Sequence, residues 1–76
     1  MTVNLYSTPS CTYCKLAKDY FRKEGIGFNE YDVSRDRRRA EEMVRKTGQM
    51  GVPVIEIGSK VIVGFNQAEI RKALGR

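Results

Sequence analysis

Two cysteines, Cys11 and Cys14, stand three positions apart in the run Cys11-Thr12-Tyr13-Cys14. They are the only cysteines in the chain, and their spacing allows a dithiol to close into a disulfide. The pair lies directly after an apparent strand and opens an apparent helix. A helix N-terminus presents unpaired backbone N–H groups and the positive end of the helix dipole, and both favour a thiolate over a thiol. In a helix beginning near residue 11, the Cys11 sulfur is reachable from outside. Cys14 lies about one turn further in and shares its face with Ala17 and Phe21. The expected division of labour follows: the Cys11 thiolate attacks a substrate disulfide, and Cys14 displaces the reduced substrate from the resulting mixed disulfide.

Lys15, Lys18 and Arg22 follow Cys11 at four, seven and eleven positions and form a cationic stripe on its helix face. At about 1.5 Å rise per residue, Lys18 and Arg22 lie roughly 10 and 16 Å from Cys11 along the axis, beyond a screening length of about 8 Å. Lys15 alone is close enough to stabilise the Cys11 thiolate, and a plainly solvated lysine is the competing reading.

A metal site is the main alternative to redox chemistry. Structural zinc takes four protein ligands, and this chain offers two cysteines and no histidine. An iron-sulfur cluster held by thiolates of two chains is the metal reading that remains. A structural disulfide is weakly rewarded, because closing so short a loop removes little entropy from the unfolded chain. Without the bridge, the bland reading is two inert buried cysteines.

The elements that position the pair are legible as patterns. Val3-Asn4-Leu5-Tyr6 predicts a strand, stopped by Ser7-Thr8-Pro9-Ser10. From Cys11 to Lys23 no Gly or Pro intervenes, and Cys14, Ala17 and Phe21 recur at helical spacing, with Tyr13, Leu16 and Tyr20 widening the stripe. Gly25 suits a left-handed cap. Ile26 to Tyr31 predicts a second strand, which makes a βαβ unit with parallel strands and a right-handed crossover. A second helix is expected from about Arg37 to Thr47, ended by Gly48. Val54–Ile57 and Lys60–Val63 flank Gly58-Ser59, a hairpin signal. Asn66 and Glu69 sit as cap and third residue of a last helix through Ile70, Ala73 and Leu74, ended by Gly75. Pro53 cannot donate to a sheet ladder and is placed at the start of its strand. The order is βαβαββα, and one α/β domain over residues 1–76 is expected.

With 41% apolar and 30% charged residues the composition is that of a globular chain. At 76 residues, such a chain buries only about 60% of the surface that its unfolded form exposes. No stretch approaches the roughly 18 apolar residues of a membrane span. Met1-Thr2-Val3-Asn4 has no basic region followed by an apolar one, so no secretory leader and a cytoplasmic location are expected. The net charge of +5 and the run Arg35-Asp36-Arg37-Arg38-Arg39 invite a nucleic-acid reading. The run is broken by Asp36, followed by Glu41-Glu42 and not interleaved with aromatic residues, so a solvated helix face is expected instead.

Taken together, Cys11-Thr12-Tyr13-Cys14, Val52-Pro53 before the third strand and Gly64-Phe65-Asn66 before the last helix resemble the glutaredoxin family of the thioredoxin fold. The resemblance spans nearly the whole chain. It implies a four-stranded mixed sheet flanked by three helices, and a cis proline at Pro53 whose preceding residue, Val52, offers its backbone to a bound thiol peptide. It also implies a glutathione groove walled by Tyr13 and by Gly64-Phe65-Asn66; Tyr13 stacked in the core is the competing reading. The implied activity is thiol–disulfide exchange with disulfide-containing proteins or glutathione mixed disulfides, serving redox homeostasis and electron transfer. The implied protein is a monomer with no tightly bound cofactor, and glutathione is its candidate reductant. Three positions depart from the common family pattern: Thr12 replaces a proline, Thr8 a lysine and Asn66 an aspartate. Two charged handles for glutathione are thereby absent. The resemblance extends to small redoxins reduced by a thioredoxin reductase, among them electron donors to ribonucleotide reductase, so that reductase is the second candidate donor.

Overall fold

The computed structural model describes residues 2–76. Its elements are β1 (Val3–Ser7), α1 (Thr12–Lys23), β2 (Asn29–Asp32), α2 (Arg37–Thr47), β3 (Val54–Ile57), β4 (Lys60–Val63) and α3 (Gln67–Leu74). The strands form one sheet in the order β2-β1-β3-β4. β1 and β2 run parallel, with Leu5 opposite Glu30, whereas β3 is antiparallel to both β1 and β4. This is the mixed sheet of the expected βαβαββα order.

Alternation along the strands divides the core between the two faces of the sheet. Val3, Leu5, Ile55, Ile57 and Ile62 point to one side, where Ala17, Tyr20 and Phe21 of α1 and Ile70 of α3 cover them. Tyr6 and Val54 point to the other and meet Met43 of α2. The second face is completed by polar contacts. Lys46 of α2 reaches Glu56 at 2.8 Å and the Tyr6 hydroxyl at 3.2 Å. Tyr6 in turn donates to Glu42.

Three strand boundaries differ from the sequence expectation: β1 and β2 each run one residue further, through Ser7 and Asp32, and β2 starts later for a local reason. β2 begins at Asn29 rather than Ile26, because Ile26 closes α1. Its N–H donates to the Phe21 carbonyl at 2.8 Å, Gly25 adopts φ 68° and donates to Arg22, and the Ile26 side chain is buried in the cluster that holds Phe21. That is a Schellman motif with its apolar contact, which places an apolar residue just past the helix without a strand. β1 extends through Ser7, which pairs with Asp32 and is buried. The hairpin turns at Gly58, φ 59°, with Ile57 paired to Lys60. A positive φ at the first central residue is what a two-residue II′ turn requires.

Candidate active site

The dithiol sits where β1 hands over to α1. Thr8-Pro9-Ser10 turn the chain, the Cys11 N–H donates to the Thr8 carbonyl at 3.3 Å, and Cys11 is the N-cap of α1 with extended backbone angles of −89° and 112°. Its sulfur takes the place of the usual capping oxygen and accepts from the Cys14 N–H at 3.2 Å. Both cysteines are free thiols; Cys11 is half-buried and Cys14 only 1% exposed. Burial, reinforced by the hydrogen bond with Cys11, pushes the Cys14 thiol up to about 12 from an ordinary 9.0. One sulfur is thus accessible and capped by a donor, and the other is held neutral beneath it. The arrangement allows the outer sulfur to meet a disulfide first and the inner one to follow.

Five of the residues singled out by the sequence line one groove. Tyr13, Val52, Pro53, Gly64 and Phe65 enclose about 280 Å³. Tyr13 is 60% exposed, which removes the reading that stacks it in the core. The Val52-Pro53 bond is cis. Gly64, at φ 89°, donates its N–H to the Pro53 carbonyl at 2.8 Å, so the two turns that form the walls are tied together. A side chain is disfavoured at that backbone angle, which accounts for the glycine. Phe65 packs edge-on against Tyr20 of α1 at 6.0 Å, and Val52 packs on the Tyr6–Met43–Val54 cluster. Among the described residues, neither the N–H nor the C=O of Val52 makes a backbone hydrogen bond.

The other candidates fall nearby but apart. Lys15 is exposed and lines a hollow of about 290 Å³ with Pro9, Ser10, Cys11 and Thr12. It forms no ion pair among the described residues, in contrast to Lys18, which meets Glu30 at 2.9 Å, and Arg22, which meets Asp19 at 4.0 Å. Asn66 does not line the groove; its carboxamide oxygen caps α3 by accepting from the Glu69 N–H at 3.1 Å. In the basic run, Asp36 caps α2, Arg35 and Arg37 pair with Asp32 and Glu41, and Arg39 pairs with Glu42 while lying 3.9 Å over the Tyr31 ring.

Sequence reasoning passed over Ser7 and Glu30. The Ser7 hydroxyl donates to the Glu30 carboxylate at 2.9 Å, on the same oxygen that meets Lys18. The Lys18 bond, against some burial, holds the Glu30 carboxyl below its ordinary 4.5. The available signal was the helical spacing of Lys18 from Cys14, one turn apart on one face. Among the described residues, no group of three His, Cys, Asp or Glu side chains stands close enough to hold a metal ion, so a cluster bound through Cys11 would draw ligands from a second chain. Among the described residues, no helix is long and apolar enough to cross a membrane.

Comparison with known proteins agrees with this geometry. The glutaredoxin family model matches residues 3–62. A glutaredoxin-like 8.6 kDa protein of the rubredoxin operon of Clostridium pasteurianum is 44% identical, covering 95% of this chain and 96% of its own length. Glutaredoxin 3 of Escherichia coli K12 is 32% identical over 96% of this chain and 88% of its own. Among solved structures, the glutaredoxin-like NrdH-redoxin of Escherichia coli, described as having a thioredoxin-like activity profile, superposes with a TM-score of 0.82 at 26% identity, covering 95% of this chain and 93% of that one. Family membership carries with it thiol–disulfide oxidoreductase activity in general, on protein disulfides or glutathione. By its sequence match, its sheet order and its paired cysteines at the head of α1, this chain belongs to the glutaredoxin family.

Proposed function

We propose that this protein reduces protein disulfides and mixed disulfides through Cys11 as nucleophile and Cys14 as resolving thiol, with Val52 and Pro53 as the edge on which the substrate docks. The observation that carries the assignment is the position of the two sulfurs: Cys11, at the N-cap of α1, is the accessible one and receives the Cys14 N–H, whereas Cys14 is buried behind it. The unpaired backbone of Val52 suits an extended peptide laid along it, and Tyr13 and Phe65 supply apolar walls. Reaction begins with an S–S bond between Cys11 and one substrate sulfur, while the other substrate sulfur departs with the electron pair. Cys14 then attacks Cys11, the substrate leaves as a thiolate, and the pair ends oxidised. A reducing compartment such as the cytoplasm fits a pair that works from its dithiol form. In the test, Cys14→Ser accumulates a mixed disulfide with a disulfide substrate, and Cys11→Ser does not. The reverse pattern would invert the roles.

A second reading concerns the electron donor. None of the five groove residues carries a charge, whereas glutathione presents two carboxylates and an ammonium group. This supports a flavoprotein thioredoxin reductase as donor, with acceptors such as ribonucleotide reductase, and the thioredoxin-like activity profile of the NrdH-redoxin relative points the same way. Turnover of the oxidised protein with thioredoxin reductase as sole electron source should exceed turnover with glutathione and glutathione reductase. Faster turnover with glutathione would reverse the choice.

A further inference from the structure

The buried cysteine has a difficulty that the cap of Cys11 does not solve. To resolve the mixed disulfide, the Cys14 thiol, only 1% exposed, must lose a proton inside the protein, and burial, the largest cause of its raised value in the dithiol form, opposes that loss. A fixed positive charge close to that sulfur would favour its ionised form, and one is in place. Lys18 follows Cys14 by four residues in α1, which puts the two side chains one above the other on the same face. Its ammonium does not float in solvent. It meets the Glu30 carboxylate of β2 at 2.9 Å, and that same oxygen accepts from the Ser7 hydroxyl of β1, a side chain buried against the sheet.

We propose that Lys18, anchored by Glu30 and Ser7, is the positioning residue for the second half of the reaction: its charge promotes loss of the Cys14 proton when Cys14 attacks the mixed disulfide. This rests on the assignment of Cys11 as nucleophile and Cys14 as resolving thiol. In that step the proton leaves the Cys14 sulfur for solvent, and the Cys14 thiolate forms a bond to the Cys11 sulfur. The bond from Cys11 to the substrate breaks, and the substrate sulfur departs with the electron pair and takes up a proton. No further oxidant or reductant enters.

The surroundings of Cys14 leave Lys18 as the cation suited to this task. From α1 the ionisable groups facing it are Cys11, one turn before, and Lys18, one turn after; in the dithiol form burial and then Cys11 raise the Cys14 value, and Lys18 lowers it more weakly than either raises it. From the turn before α1, the Thr8 backbone also favours the ionised form. β1 contributes the neutral Ser7 hydroxyl, and β2 contributes Glu30, whose charge Lys18 and, at longer range, Arg22 offset. β3 presents the apolar Ile55 and Ile57 to this side of the sheet. Lys15 is exposed and lines the hollow beside Cys11, and among the described residues no ion pair holds its charge in place as Glu30 holds that of Lys18.

The two half-reactions separate in time with an aryl disulfide that releases a coloured arylthiolate. The first equivalent appears when Cys11 attacks, and the second when Cys14 resolves. Lys18→Met removes the charge, Lys18→Gln removes it while keeping a donor for Glu30, and Lys18→Arg keeps both. The expected result is that Met and Gln each slow the second phase roughly 3- to 10-fold at neutral pH and displace its pH profile upward by about half to one pH unit. That is the effect of one partly screened charge a helical turn away. The first phase should stay within about twofold, and Arg should restore the second, since the group acts by charge. Equal slowing of both phases, an unchanged second phase in both neutral variants, or no rescue by Arg would overturn the proposal. The assignment beneath it fails differently: the second equivalent would then persist in Cys14→Ser or be missing from the unsubstituted protein.

Discussion

The two sulfurs of this site are chemically unlike because one caps a helix and the other is inside it. Cys14 is neutral in the folded dithiol form, with its value raised to about 12 from 9.0. A raised native value stabilises the fold fully below the unfolded value and is lost as pH rises through the native one. The reduced protein should therefore lose stability between about pH 9 and 12. The oxidised protein, with no thiol to titrate, lacks this component. Burial also raises the Tyr6 hydroxyl above 10.0, helped by its bond to Glu42, but that contribution is common to both redox forms. Chemical denaturation of both forms across that range measures the difference, and parallel curves would count against a neutral buried Cys14. Asn66 belongs to the same scale. Its role in the structure is to cap α3, so Asn66→Ala should cost about 1 kcal/mol and lower Tm by roughly 4 to 8 °C. A loss of turnover without loss of Tm would instead return Asn66 to the groove.

At the scale of elements, α1 carries the site and is held at both ends. Its start is the Cys11 cap, and its end is the Gly25–Ile26 closure, with Ile26 buried against the cluster that contains Phe21. Ile26→Ala removes the apolar contact of that closure and should destabilise the protein by about 2 to 5 kcal/mol, read by thermal or chemical unfolding. A change below about 0.5 kcal/mol would mean that Ile26 is not part of the core. This residue also shows why the start of β2 was not legible. An apolar, β-branched residue after a glycine is equally the first residue of a strand and the apolar contact of a Schellman cap, and only the hydrogen bond back to Phe21 separates the two. The hairpin was legible because Gly58-Ser59 between two four-residue apolar-rich runs admits one short turn. The outward turn of Tyr13 and Leu16 was not, since their spacing fits a wider helical stripe than the sheet has room to cover.

Over the whole molecule, α2 is docked on the sheet as much by charge as by apolar contact. Beyond Tyr6, Met43 and Val54, the interface holds Lys46 between Glu56 and Glu42, with Asn4 donating to Glu56 at 2.9 Å. Burial works against ionisation of Glu56, but the bonds from Lys46 and Asn4 outweigh it, and its carboxyl lies below 4.5. The Tyr6 hydroxyl, more than offsetting burial, does the same for Glu42, as Lys18 does for Glu30. Depressed native values stabilise the fold above the unfolded value and are lost as pH falls through the native ones. Tm should therefore hold between about pH 7 and 5 and fall below about 4.5. Glu56→Gln should cost roughly 1 to 3 kcal/mol at neutral pH and flatten that acid loss. An acid limb as steep in this variant as in the parent would show that Glu56 is not one of the titrating groups.

The order of elements, the mixed sheet and the pairing of Cys11 with Cys14 follow from local periodicity, turn residues and spacing, because each depends on neighbours within a few positions. Pro53 at a strand start and Gly64 at a turn are readable for the same reason: their backbone restrictions belong to the residue type. What folding alone decides is which distant groups share a location. Val52-Pro53 and Gly64-Phe65 become walls of one groove with Tyr13 through the Gly64–Pro53 hydrogen bond. Ser7 and Glu30, unremarkable in their strands, become the anchor of Lys18 because β1 and β2 lie side by side under α1. Burial is the other such property: helical spacing indicates that Cys14 faces inward, but how far its thiol is removed from water depends on the sheet and helices closing over it.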